Sequence, residues 1–185
     1  MERIILASNS PRRKELLTQA GIDYEVFPAD IDENSAESEP DRLVCDLSRQ
    51  KALWVSRRFP GRAVLAADTV VSFENNILGK PESEEAAFNM LKMLSGREHF
   101  VYTGVCVVYP DGSVDSFCEA TGVKFFDLSD EEIRAYIKTG EPMDKAGAYG
   151  IQGKGAVLVE SIRGDYYTVM GLPLAKVSRL LKSKL

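Results

Sequence analysis

The run from Ala63 to Phe73, AVLAADTVVSF, limits the fold of this 185-residue chain more than any other segment. A nearly continuous apolar run of this length is typical of a strand that is buried on both faces of an α/β sheet. Asp68 interrupts the run, and an ionised carboxylate is costly to bury unless it is paired, hydrogen-bonded or bound to a metal. The run therefore predicts a central strand and a carboxylate with a specific partner.

Helices and strands alternate around this run, with no repeat and no low-complexity linker. The pattern predicts one α/β domain over residues 1–185 with a mixed sheet. A division of this domain into two lobes around a cleft is compatible with the pattern. Serines at 10, 83 and 129 suit helix N-caps, the last with Glu132 in a capping box. The predicted strands are 3–7, 24–27, 63–73, 101–109, 114–126 and 157–162, and the predicted helices are 11–20, 41–59, 84–94, 130–138 and 172–181.

Charge and cysteine content exclude several classes of protein. The 23 Lys and Arg against 28 Asp and Glu give a net charge of -5, which disfavours a protein that coats DNA or RNA. Cys45, Cys106 and Cys118 are odd in number and widely spaced, so we expect reduced thiols rather than disulfides or a CxxC metal site. The run from Ile4 to Ala7 is too short for a signal or membrane segment. We expect a cytoplasmic protein with no membrane or nucleic-acid partner.

His99 is the sole histidine of the chain. Any Ser-His-Asp triad or multi-histidine metal site would need it. It precedes a strand-like run, which predicts an exposed histidine at the end of a strand. Chemistry in this protein should therefore depend on carboxylates, lysines and arginines.

The junction from Ser8 to Arg13 is a candidate anion site. A helix N-terminus carries unpaired N–H groups and a partial positive charge, so its first turn usually favours acidic residues. Here Arg12 and Arg13 occupy that turn, and the hydroxyls of Ser8 and Ser10 add hydrogen-bond donors. A solvated helix start whose arginines meet the acidic loop at 30–39 is the alternative interpretation.

Two interpretations of Asp68 stay open from the residues alone. It is either a structural carboxylate that pairs with a lysine or caps a helix, or a functional one that binds a metal. Glu33 in the acidic loop could supply a second carboxylate, and magnesium commonly takes one or two carboxylates plus phosphate oxygens. Lys51 and Lys80, taken singly, are typical of exposed lysines.

The segment from Gly140 to Val157 contains five glycines and one proline. Its glycine spacing fits neither a Walker A loop nor a dinucleotide fingerprint. Glycines allow the backbone to approach a ligand closely, and Gln152 has the amide donor and acceptor needed to read one edge of a base. A long surface loop is the alternative. In either case we expect four side chains to project from it: Asp144, Lys145, Tyr149 and Gln152.

Taken together, these segments resemble the Maf family of nucleoside triphosphate pyrophosphatases over essentially the whole chain. The combination and order of the motifs are highly specific. The matching residues are LASNSPRR at 6–13, DIDE at 30–33, Lys51, AADTVV at 66–71, GKP at 79–81, LSGREH at 94–99 and EPMDKAGAYGIQGKGA at 141–156.

The resemblance implies an elongated mixed β-sheet flanked by helices, with a deep cleft similar to that of inosine triphosphate pyrophosphatases. It also implies that the protein cleaves a nucleoside triphosphate between the α and β phosphates, giving the monophosphate and pyrophosphate. A divalent cation, Mg or Mn, is the implied cofactor. Asp68 matches the proton acceptor of the family, and we expect Glu33 to help it hold the metal. The residues expected to bind phosphate are Ser8, Arg12, Arg13, Lys51 and Lys80.

Three positions distinguish subclasses of the family. Arg12, Thr69 and Gln152 form the combination of the subclass that acts on dTTP and UTP, with modified pyrimidine nucleotides as further candidates. A homodimer is common among relatives. The alternative function is a nucleotide-sensing regulator of cell division and septum formation, because some members of the family are linked to these processes.

Overall fold

A seven-stranded mixed sheet forms the framework of the protein in a computed structural model that describes residues 3–185. The strand order is β2-β1-β3-β5-β6-β7, with β4 paired to β3. β1 is parallel to both neighbours, whereas β4 on β3 and β7 on β6 are antiparallel. The strands are β1 (Ile4–Leu6), β2 (Tyr24–Val26), β3 (Val64–Phe73), β4 (Asn76–Leu78), β5 (Glu98–Val108), β6 (Val114–Phe125) and β7 (Val159–Arg163).

Six α-helices lie between residues 3 and 185, and none is long and apolar enough to cross a membrane. Two of the three predicted caps are confirmed, because Ser83 accepts a hydrogen bond from Ala86 N and Ser129 forms a full capping box with Glu132. Ser10 lies at the N-cap position of its helix but makes no side-chain cap hydrogen bond, so its predicted capping role is wrong. The helices are α1 (Pro11–Gln19), α2 (Pro40–Ser56), α3 (Glu84–Leu94), α4 (Asp130–Ile137), α5 (Tyr166–Met170) and α6 (Leu174–Lys184).

Three local features differ from the predictions. Strand β4 was not predicted, because its three residues are too few for an alternating pattern. The short helix α5 was not predicted, although the Asp165 carboxylate accepts hydrogen bonds from both the backbone N–H and the hydroxyl of Thr168, an ordinary N-terminal cap. The sequence predicts a turn at Asn75 and Asn76, but the turn between β3 and β4 is centred one residue earlier, at Glu74 and Asn75, which have φ values of 49° and 64°. These differences arise from side-chain and turn geometry that apolar spacing does not report.

The chain divides into two compact units. The first contains the described residues up to Asp68 together with Thr103–Glu119 and Gly171–Leu185, and the second contains Thr69–Tyr102 and Ala120–Met170.

The core of the first unit forms where α2 packs on the sheet. Ala52 and Val55 of α2 join one buried apolar cluster with Ile5 of β1 and with Val64 and Ala66 of β3. Cys106 of β5 belongs to the same cluster, while Cys45 and Cys118 are half-buried, and all three thiols are free. The predicted central strand is confirmed, and its burial eases only at Asp68 and Thr69.

Close contact between α2 and β5 depends on Gly104. A Cβ atom built at Gly104 would overlap the main-chain carbonyl group of Val44 on α2. The helix therefore lies directly on the strand backbone at this point, with no room for any side chain.

His99 is buried in the second unit, which contradicts the predicted exposed position. Its side chain is 1% exposed and is hydrogen-bonded through Nε2 to the hydroxyl of Tyr149 at 2.8 Å. The rings of Phe125 and Tyr149 meet the imidazole edge to face, with centroids 4.9 and 5.3 Å away. Apolar spacing near a strand end could not reveal this, because Phe125 and Tyr149 come from distant segments.

Burial of His99 predicts a specific loss of stability in acid. Burial lowers the pKa of His99 from 6.5 to about 4, since the charged imidazolium is disfavoured away from water. Between these values the unfolded chain binds a proton at this side chain and the folded chain does not, so the free energy of unfolding decreases as the pH falls from 6.5 to 4. We expect a contribution of about 3 kcal/mol from His99 across this window.

Urea denaturation of the wild type and of His99→Gln at pH 7 and pH 4.5 measures this contribution. Glutamine can still bond to the Tyr149 hydroxyl but does not titrate, and the remaining groups titrate alike in both proteins. The wild type should therefore lose about 2–3 kcal/mol more than the variant between the two pH values. Equal losses in the two proteins would show that His99 does not couple folding to protons.

Candidate active site

Asp68 lies on β3 and forms an ion pair with Lys51 of α2. The Lys51 Nζ donates to Asp68 Oδ1 at 2.6 Å, and the same ammonium group lies 2.9 Å from Glu33 Oε1. The side chains of Lys51 and Asp68 are only 11% and 13% exposed, whereas that of Glu33 is 57% exposed. One lysine thus bridges two carboxylates, one in the sheet and one in the acidic loop.

The packing of α2 explains why Lys51 reaches this position. Its neighbour Ala52 is fully buried in the core cluster, and Lys51 itself is buried on the same helix. The expectation that Lys51, taken singly, is an exposed lysine is therefore wrong. A lysine can cover its aliphatic stem in this way and still place its ammonium group on a charged partner. The lysine partner of Asp68 is the one expected of a structural carboxylate, and Glu33 adds a second acidic group to the same lysine.

The start of α1 forms the second part of the site. The buried Ser8 accepts hydrogen bonds at Oγ from Ser10 N at 3.2 Å and from Arg13 Nη1 at 3.0 Å, while Arg13 Nε donates to Gly171 O at 2.8 Å. Ser10 makes no side-chain cap, and the first turn contains no acidic residue. Because the Ser8 oxygen accepts both bonds, its own proton is left to donate to an anion.

The charges of these two parts interact. Burial lowers the pKa of Arg13, the negative charges of Asp68 and Glu33 raise it, and the neighbouring Arg12 lowers it further. An arginine stays protonated across the physiological range even so. The first unit thus brings together five predicted site residues, Ser8, Arg13, Glu33, Lys51 and Asp68, with the half-buried Arg12 beside Arg13.

The two carboxylates fit part of a divalent cation site. Between residues 3 and 185 no group of three or more His, Cys, Asp or Glu side chains could hold a metal alone. Asp68 and Glu33 nevertheless supply hard oxygen donors that both contact the Lys51 ammonium group, and magnesium commonly completes a pair of carboxylates with water and phosphate oxygens. The residues present suit a cation that binds together with a phosphorylated substrate.

The remaining predicted residues, Thr69, Lys80 and Gln152, belong to the second unit. Thr69 follows Asp68 on β3, so its side chain points to the opposite face of the sheet. Lys80 and Gln152 are exposed. The segment that contains Lys80 is connected to the glycine-rich segment, because Gly147 N donates to Gly79 O at 3.1 Å.

The glycine-rich segment folds as three 3-10 turns, Glu141–Asp144, Ala146–Ala148 and Gly153–Leu158. The prediction that Tyr149 and Lys145 project from it is wrong. Tyr149 is buried beside His99, and Lys145 folds back to donate to Glu141 O at 2.8 Å and Asp144 Oδ1 at 2.7 Å. Asp144 and Gln152 are exposed as predicted.

Two buried contacts of this segment were not anticipated from the sequence. Gly147, at φ 67°, lies so close to β3 that a Cβ atom would be 2.9 Å from Val71 Cγ1. Tyr136 and Glu141 form hydrogen bonds with the backbone around Gln152. The spacing of apolar residues placed Tyr136 within a predicted helix, and the sequence indicated no role for Glu141. The capping of a loop by a remote carboxylate has no periodic signal in a sequence.

Comparison with known proteins agrees with the motifs. A sequence model described as "Maf-like protein" matches residues 3–184. The chain belongs to the Maf-like protein family. The dTTP/UTP pyrophosphatases of Bacillus cereus (strain ZK / E33L) and Bacillus anthracis (strain CDC 684 / NRRL 3495) are 50% and 49% identical to this Maf protein over 183 residues. Each alignment covers 98% of this chain and 95% of the relative.

Solved structures confirm the predicted fold class. The Ham1 protein of Staphylococcus aureus aligns over 100% of both chains with a TM-score of 0.54 at 15% identity. A HAM1 protein from Coxiella burnetii gives a TM-score of 0.55 at 16% identity over 99% of this chain and 100% of its own. A dITP/XTP pyrophosphatase from Mycobacterium abscessus gives 0.51 at 14% identity over 98% and 97%. At these identities the likeness concerns the fold alone.

Proposed function

We propose that this Maf protein hydrolyses dTTP and UTP between the α and β phosphates, giving the nucleoside monophosphate and pyrophosphate. The observation that carries the proposal is the Lys51 ammonium group held between Asp68 and Glu33, in the electrostatic field of Arg13. The names of relatives that are 49–50% identical over 98% of the chain support the same reaction and substrates.

Hydrolysis of a phosphoanhydride needs an aligned water, neutralised phosphate charge and a stable leaving group. Lys51 holds Asp68 through Oδ1, which leaves Oδ2 to accept a proton from the attacking water. Glu33 and Asp68 would hold a divalent cation, Mg or Mn, whose charge offsets that of the triphosphate. These roles require neither histidine nor cysteine.

Binding of the triphosphate in this proposal uses cations and one hydroxyl. The Ser8 O–H and the guanidinium groups of Arg12 and Arg13 would donate to phosphate oxygens, with Lys51 and Lys80 adding positive charge. Arg12, Thr69 and Gln152 would determine the choice of nucleotide. The same proposal includes modified pyrimidine triphosphates as further substrates, a homodimeric assembly and a cytoplasmic location.

Product analysis tests the reaction directly. The purified protein is incubated with dTTP, UTP, dCTP, dATP and modified pyrimidine triphosphates, with Mg, Mn or EDTA, and the nucleotide and phosphate products are quantified. We expect equal amounts of monophosphate and pyrophosphate from dTTP and UTP, and a rate about 100-fold lower in EDTA that either metal restores. Release of orthophosphate with dTDP would contradict the proposed bond cleavage. Tight binding of dTTP without any product would favour the nucleotide sensor instead.

A further inference from the structure

The backbone around Gln152 is held at both ends by two side chains, Tyr136 and Glu141. Gly150 N donates to the Tyr136 hydroxyl at 3.2 Å, and this hydroxyl donates to Glu141 Oε1 at 2.9 Å. The same Oε1 accepts from Gly155 N at 3.0 Å. Glu141 Oε2 accepts from Lys154 N, also at 3.0 Å. Gln152 therefore lies in a six-residue loop, 150–155, whose ends share one hydroxyl and one carboxylate; we call Tyr136 and Glu141 the loop clamp.

The glycines of this loop fit closely against the loop clamp. A Cβ atom at Gly155 would overlap Gly150 O and lie 2.7 Å from the Tyr136 hydroxyl, so the two ends of the loop touch. Gly153 has φ 88°, and a Cβ there would be 2.9 Å from Glu141 Oε2. The backbone is thus packed against the clamp along much of its length, while Gln152 itself stays exposed.

Charge strengthens the loop clamp. Burial raises the pKa of Glu141, but hydrogen bonds from Lys154 N, Gly155 N and Tyr136, together with the Lys145 ammonium group, lower it below the usual value overall. The carboxylate is therefore ionised at neutral pH, and hydrogen bonds to an ionised acceptor are about twice as strong as neutral ones. Burial and the neighbouring carboxylate raise the pKa of Tyr136, so its hydroxyl keeps the proton that it donates.

We propose that Tyr136 and Glu141 are positioning residues that fix the 150–155 loop in one conformation and thereby determine how well Gln152 discriminates between nucleobases. This rests on the proposed function, in which Gln152 contributes to nucleotide choice. A single amide can select one base edge only when its backbone is fixed, because a mobile amide can rotate to satisfy several edges. The loop clamp supplies that rigidity without contacting the base.

Tyr136→Phe is the sharpest test, because it keeps the ring and removes only the hydroxyl shared by Gly150 N and Glu141. We expect the ratio of kcat/KM for dTTP over dCTP to fall about 10-fold, mainly through KM. Glu141→Gln should lower the ratio further, since its amide NH₂ group would face backbone N–H donors. Combined with Gln152→Ala, Tyr136→Phe should cause no additional loss of discrimination, because both changes remove the same selectivity.

Tyr109→Phe is the matched control. Tyr109 is also a buried tyrosine that donates to a carboxylate, Asp115 Oδ2 at 2.9 Å, but it lies in the first unit and outside the loop. It should leave the dTTP/dCTP ratio at the wild-type value even where it lowers the melting temperature. If Tyr136→Phe lowers the melting temperature and leaves the ratio unchanged, the clamp is only structural and the proposal is wrong.

Calorimetry separates this proposal from the proposed function. Binding of dTTP and dCTP is measured in Asp68→Asn protein with and without Tyr136→Phe, so that selectivity is read without turnover. A smaller preference for dTTP in the double variant supports the loop clamp, and an unchanged preference overturns it. Failure of the proposed reaction would appear elsewhere, as absence of pyrophosphate release from the wild type.

Discussion

Replacing Asp68 by Asn is expected to lower the rate of pyrophosphate release from dTTP by about 10³-fold at saturating substrate. Asparagine has nearly the same shape, and its Oδ1 can still accept a hydrogen bond from Lys51 Nζ, but its amide cannot take a proton from water. Initial rates of pyrophosphate release with Mg measure the loss. The fold should persist, with a circular dichroism spectrum like that of the wild type.

Asp115→Asn is the matched control for this variant. Asp115 is another carboxylate of the first unit with a lysine partner, Lys184 Nζ at 2.7 Å, although this ion pair is more exposed than that of Asp68. The same Asp115 oxygen also accepts a hydrogen bond from the Tyr109 hydroxyl. Its turnover should stay within about two-fold of the wild type, since a partly exposed ion pair contributes little to the folded state and Asp115 has no part in the candidate site. Near-normal turnover in Asp68→Asn would defeat the assignment of Asp68 as proton acceptor.

Gly104→Ala is expected to destabilise the folded protein more than any other substitution proposed for it. The added methyl group would overlap the backbone of Val44, and a backbone cannot rotate away as a flexible side chain can. Overpacking of a core costs about 1–3 kcal/mol and more when the neighbour cannot move, so we expect a loss of about 3 kcal/mol. For a chain of this length that corresponds to a melting temperature roughly 6–12 °C lower.

The displacement should also reduce activity, because Lys51 lies on the same helix about two turns beyond Val44. Thermal denaturation and dTTP turnover measure the two effects. Gly79→Ala provides the comparison for stability, as a Cβ there meets nothing within 4 Å and its φ suits any residue. This control should melt at the wild-type temperature or slightly above it, since alanine restricts the unfolded chain. A free energy of unfolding in Gly104→Ala within 1 kcal/mol of the wild type would contradict the proposed contact.

Local signals predicted most of the helices and strands. The capping box at Ser129 and Glu132 and the cap at Ser83 occur as predicted, because capping depends on residues only three positions apart. The central strand likewise follows from one uninterrupted run of apolar residues. Where a signal was subtle, as at the Asp165 cap of α5, the element was missed although its cause was present in the chain.

Burial and long-range pairing were much harder to predict. His99 was expected at the surface, yet Phe125 and Tyr149 enclose it. Tyr149 was expected to project from the glycine-rich segment, yet it is buried against His99. The local sequence around either residue does not indicate which distant residue it contacts. Lys145 turned back on its own segment, a contact that depends on the 3-10 turns that the glycines allow.

Short-range patterns and motifs within single segments were enough to predict the order of most helices and strands, the family, and the residue types available for phosphate chemistry. Two contacts of the candidate site became known from the folded chain. Lys51 joins Asp68, 17 residues away, to Glu33, and Arg13 donates to Gly171 O, 158 residues along the chain. The Lys51 contacts depend on how α2 packs on the sheet, at Gly104 among other places. Packing of this kind joins residues whose separation along the chain carries no periodic signal.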